Sequence, residues 1–95
     1  MSMKDAYVQK LQAQLDEWNA EIDKLKANAD SAEADAKIEY YKQIDELRKE
    51  QLEAQEKLNE LQQASETAWE DLKAGVENAW DSLENAMKKA ASRFE

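Results

Sequence analysis

VQKLQAQLDEWNAEIDKL, residues 8–25, is the stretch whose reading decides the fold. Its apolar residues recur in alternating steps of three and four, which is the spacing of one face of an α-helix wound against another. Val8, Leu15 and Ile22 take the a positions of a heptad, and Leu11, Trp18 and Leu25 take the d positions. Branched residues at a with Leu at d mildly favour a parallel pair. Glu21 at g could meet Lys26 at e of a parallel partner, but the other flanking sites carry no comparable charge code.

Outward from this stretch the stripe thins to Ala29, Ala32 and Ala36. Asn28, Asp30 and Ser31 offer hydrogen bonds that compete with helix, and Asp30 with Glu33 fits a capping box. Neither Gly nor Pro interrupts residues 27–37. The expectation is a weak but continuous helix, with a hairpin at 28–31 as the lesser alternative. The seam then resumes at Tyr40, Ile44 and Leu47, where two steps of four insert a stutter near 36–44, and after Gln51 and Ala54 it recovers at Leu58 and Leu61. Glu33 with Lys37, Asp45 with Lys49, and Glu53 with Lys57 stand four apart, as helix-supporting pairs do.

The last third carries a different repeat. Trp69, Leu72 and Val76 superpose on Trp80, Leu83 and Met87 at a spacing of eleven, with Ala91 and Phe94 beginning a third copy. Eleven residues over three turns gives a stripe that runs nearly straight or drifts right-handed. Between the two regimes, Thr67 with Glu70 fits a capping box, and Ser65 is a second candidate cap. The chain is therefore read as all-α in two segments. Residues 1–64 form a long heptad coiled-coil helix, and residues 65–95 a shorter amphipathic helix with eleven-residue repeats. At 1.5 Å per residue, a helix over 4–63 would be roughly 90 Å long and one over 68–93 roughly 40 Å.

Composition agrees with helix and narrows the chemistry. Of 95 residues 37% are charged and 42% hydrophobic, with no Pro and one Gly, so narrow apolar seams are expected in place of a large core. Acids outnumber bases 22 to 13, a net charge of −9, which opposes binding to nucleic acid. Cys and His are both absent, removing disulfides, thiolate nucleophiles and thiolate or imidazole metal ligands. The acidic groups Asp30, Glu33, Asp35 and Glu66, Glu70, Asp71 lack the looped spacing of a calcium site and are read as solvated faces. No nucleophile is paired with a base, so no catalytic, cofactor or metal site is expected. No apolar run approaches the roughly 20 residues that span a bilayer, and the N-terminus has no signal-peptide stretch, so cytoplasmic residence is the expectation.

Several of these residues together resemble a group of small bacterial coiled-coil proteins that carry a loose stress-response label. The resemblance rests on Tyr7 to Leu11, Leu15 to Leu25, the Tyr40 and Tyr41 pair, Ala68 to Gly75, and Ala79 with Trp80. It implies a cytoplasmic helical protein and brings no catalytic residue with it.

Function is therefore sought in surfaces. A chain of this size is marginal as a free globule, so the expected role is non-enzymatic: a homo-oligomer, or a binder of a partner helix. Its seam is Val8, Leu11, Leu15, Trp18, Ile22, Leu25, Tyr40, Ile44, Leu47, Leu58 and Leu61. The C-terminal apolar face is Trp69, Leu72, Val76, Trp80, Leu83, Met87 and Phe94, and Gly75 with Ala79 is a candidate for close approach of a neighbouring helix. The alternative is reversible binding of that face to a lipid surface. It is not favoured, because residues 65–95 hold seven acids against Lys73, Lys88, Lys89 and Arg93.

Overall fold

Ser2 opens the first helix, its hydroxyl accepting from the Asp5 amide at 3.1 Å and satisfying one of the donors that a helix start leaves over. In the computed structural model, which describes residues 2–93, three helices follow: α1 (Met3–Asp30), α2 (Ala34–Gln63) and α3 (Trp69–Arg93). The chain is all-helical, and the helices run up, down and up as a rod of 51 × 20 × 18 Å. No helix among the described residues is long and apolar enough to cross a membrane.

The long N-terminal helix expected over residues 4–63 is two helices, joined by a hairpin at Ser31, Ala32 and Glu33. Asp30 and Glu33 do not form a capping box there. Glu33 is the N-cap of α2 with an extended backbone and no side-chain cap bond, while Asp30 accepts a hydrogen bond from the Tyr41 hydroxyl across the turn. Local propensity allows helix through this stretch, so the turn is a tertiary effect. Folding α1 back on α2 lets each stripe cover the other, which outweighs one uninterrupted ladder of backbone bonds. The apparent stutter marks the same event: α1 buries positions 22, 25 and 29, and the seam restarts in a new phase at 44 and 47.

The second break lies where it was expected, but Ser65 makes it. Its hydroxyl accepts from the Ala68 amide at 3.1 Å and its carbonyl from the Ala68 and Trp69 amides, while Thr67 only touches the Ser65 hydroxyl. Lys4 closes this end of the rod. Its ammonium donates to the carbonyls of Gln62 (3.1 Å) and Ala64 (2.8 Å), placing positive charge on the C-terminal end of α2, where the helix dipole favours it.

One core runs the length of the bundle, and α2 packs closely against both neighbours. Ala54, Ala79, Ala86 and Ala90 contribute to it or pack against it, and such small residues let backbones approach. Gly75 has no such part. It is exposed, and a β-carbon built on it would meet nothing within 4 Å, so the close-approach reading does not hold. An open helix-interior glycine only loosens its helix. Gly75→Ala is expected to stabilise the bundle by about 0.5–1 kcal/mol, seen as a higher urea midpoint with an unchanged slope.

Candidate interaction surfaces

The residues expected to face a partner face the other helices of the same chain. Val8, Leu11, Leu15, Ile22, Leu25, Ile44, Leu47, Leu58 and Leu61 are buried, with Trp18 and Tyr40 half-buried against the same core. Trp69, Val76, Trp80, Leu83 and Met87 are buried as well. Phe94 lies outside the described residues. Leu72 is the exception, exposed at 37% while Leu83, its counterpart in the eleven-residue alignment, is at 0%.

That exception departs from the eleven-residue alignment at one position, while Trp69 with Trp80 and Val76 with Met87 are buried in step with it. The buried positions of α3 are 69, 76, 80, 83, 87 and 90, with 73, 79 and 86 half-buried beside them. Lys73 sits where a large apolar residue would be expected. Its stem lies along the core edge and its ammonium stands 5.2 Å from the Tyr7 ring centre and 5.9 Å from that of Trp69, a cation held over aromatic faces. Lys73 thus takes an edge position beside which Leu72 stays exposed.

The spacing of eleven nevertheless has a structural meaning. α1 and α3 run parallel, and Tyr7 pairs with Trp69 (ring centres 5.7 Å apart) while Trp18 pairs with Trp80 (6.3 Å), both tilted. Tyr7 and Trp18 are eleven apart in α1, just as Trp69 and Trp80 are in α3. Two aromatic rungs thus bridge an edge of the bundle where the α1 and α3 backbones themselves come close at few points. Sequence reading missed Tyr7 and Lys73 as members of this edge. The signal that could have found Tyr7 was its equal spacing to a tryptophan.

Polar groups on the two α3 edges are incompletely satisfied. The Tyr7 hydroxyl and the Trp80 Nε1 are enclosed without a well-formed hydrogen bond. Burial, followed by the neighbouring Glu77 carboxylate, raises the phenol of Tyr7 above its ordinary range. Between α2 and α3, Gln43 Oε1 and Glu50 Oε2 are likewise enclosed and unpaired. The α1/α2 edge is the opposite case. Gln12 and Gln55 exchange amide hydrogen bonds at 3.2 and 3.0 Å, and Arg48 donates to Asn19 (3.1 Å) and Asp23 (2.6 Å). Antiparallel pairing with α2 thus replaces the parallel pairing suggested by Glu21 and Lys26.

Glu50 gives the α2/α3 edge a pH dependence. Burial of the carboxylate first, then repulsion from Glu53 and Glu46, raise its pKa, and Lys89 only partly opposes them. A carboxyl group raised in the fold binds its proton more tightly there than in the unfolded chain. Its contribution is complete below the ordinary glutamate value and is lost as pH rises through the raised one. Mild acidification from neutrality should therefore strengthen this contact. Glu50→Gln is expected to raise the urea midpoint at neutral pH and to flatten its rise on acidification; an unchanged pH slope would count against the assignment.

Ion pairs are few. Beside Arg48 and Asp23, the described residues show Lys57 with Glu60 and Lys88 with Glu84, so Lys57 turns to Glu60 and not to Glu53. Among the described residues, no group of three acidic side chains converges as metal ligands would. Comparison with protein-family models, curated proteins and solved structures yields no match to this chain.

Proposed function

We propose that this chain is a non-enzymatic structural protein whose work is helix–helix association, including association with further copies of itself. The observation that supports the reading best is the α1/α2 seam. It runs the length of both helices, combines buried Leu and Ile with side-chain hydrogen bonds, and is closed on itself by only three residues. Every copy carries both halves of that seam, so each half fits another molecule as well as its own. A small bundle has little burial to spare, and association adds burial by mass action. Light scattering over a micromolar concentration series tests this. The expected result is a mass that rises above the monomer with concentration; a folded monomer of constant mass throughout would refute it.

A second reading has its own support. α3 carries an apolar face of Trp69, Val76, Trp80, Leu83 and Met87, and the Trp80 indole N–H is enclosed there without a hydrogen-bond partner. A lipid–water interface offers such a face both an apolar side and hydrogen-bonding partners for indole N–H groups. Zwitterionic vesicles suit the acidic helix better than anionic ones. A blue shift of tryptophan emission with zwitterionic vesicles, together with co-flotation, is the outcome this reading requires.

A further inference from the structure

We infer that self-association proceeds by exchange of α1: the Ser31–Glu33 hairpin opens, α1 and α2 become one continuous helix, and each α1 packs on the α2 and α3 of a second copy. This rests on the self-association reading above and specifies its route and partner.

The hairpin carries unusually little to hold it closed. Helices that end in a sharp turn commonly do so on a residue in the left-handed region, most often glycine. Here no described residue other than glycine has a positive φ, and Gly75 is helical. Ser31, the C-cap of α1, is already right-handed helical at φ −90° and ψ −5°, and its amide and that of Ala32 bond three residues back, to Asn28 and Ala29. Glu33 is extended at φ −66° and ψ 155°, a φ that already suits a helix, so its chief change on straightening is a rotation in ψ. Only Ala32 lies between these two caps. Residues 27–37 contain five alanines and neither Gly nor Pro, so the helix can continue through them, with Asn28, Asp30 and Ser31 its weaker formers.

Opening the hairpin breaks the hydrogen bond from the Tyr41 hydroxyl to Asp30, but the other α1/α2 side-chain hydrogen bonds lie away from it. Lys4 on the Gln62 and Ala64 carbonyls, Gln12 with Gln55, and Arg48 with Asn19 and Asp23 involve residues at least eight positions from the turn, and all can form between two chains as they form within one. The aromatic rungs transfer in the same way, Tyr7 and Trp18 of one chain meeting Trp69 and Trp80 of the other. Short hinges between elements that pack on each other favour such exchange. The shift in seam phase between Leu25 and Ile44 then falls inside a continuous helix, where a stutter is accommodated by local unwinding. What separates the two forms is the turn, which the exchanged form relieves, and the entropy of bringing two chains together, which favours the closed form on dilution.

The experiment uses the absence of cysteine. Full-length chains carrying Gln12→Cys alone and Gln55→Cys alone, the second bearing a mass tag, are mixed in urea, refolded at high concentration and treated with a short thiol–thiol crosslinker. Exchange predicts a mixed crosslinked dimer, since these two side chains touch only where α1 packs on α2. In parallel, a Gly-Ser-Gly-Ser insertion between Ala32 and Glu33 lengthens the turn and weakens the continuous helix. It should move the monomer–dimer midpoint to higher concentration by about ten-fold or more while leaving monomer helicity intact. Dimers that fail to crosslink and ignore the insertion would overturn the exchange while leaving self-association standing. Absence of any dimer from the unmodified chain would overturn both.

Discussion

Leu83→Ala is expected to cost the bundle about 2–5 kcal/mol, whereas Leu72→Ala, eleven residues earlier on the same helix, should cost less than about 1 kcal/mol. Both lose the same atoms, so the difference reports environment. Leu83 is fully enclosed, and its removal leaves a cavity that straight helices cannot easily collapse; Leu72 is exposed at 37%. Small domains are stable by about 5–15 kcal/mol in total, so the first substitution removes a large share and the second a small one. Urea unfolding followed by far-ultraviolet circular dichroism measures both. Equal losses would mean that Leu72 is enclosed as Leu83 is, as the eleven-residue alignment expects.

The second large effect belongs to the aromatic rung deeper in the bundle. Trp80→Ala is expected to cost about 3–5 kcal/mol, because it removes the larger part of the bridge to Trp18 across an edge with little direct backbone contact. Trp80→Phe should be far milder, since it keeps an aromatic body and discards an indole N–H that has no partner in the fold. A double-mutant cycle with Trp18→Ala isolates the pair, and the tilted ring geometry predicts a coupling of about 0.5–1.5 kcal/mol. A coupling near zero would show that the two indoles pack independently.

The sequence made the all-helical class plain, along with the inward residues of α1 and the break after Gln63. Those inferences drew on local signals: heptad spacing, the absence of Pro, and hydroxyl caps. Two features were only partly legible, the hairpin as the lesser alternative at 28–31 and the α3 stripe but for one residue, and for the same reason. The hairpin at Ser31 lacks any residue that compels a turn, because α1 folds back for the gain of covering α2, and that gain exists only in three dimensions. In α3, Leu72 was expected to face inward, and Lys73 takes an edge position instead, its ammonium beside the Tyr7 and Trp69 rings of the α1/α3 edge. Most of the apolar residues expected to meet a partner pack against the other helices of the same chain, with Leu72 exposed. Leu52 and Ile38, which remain exposed, were not singled out because they sit singly among charges on the outer side of α2.

An odd number of helices has a mechanical consequence. With α1 and α3 parallel, Ser2 and Arg93 lie at opposite ends of the rod. Anything fused at both termini is thereby held at a set distance. A pull between those termini runs along the helix axes and loads both interfaces of α2 in shear, with no edge to peel.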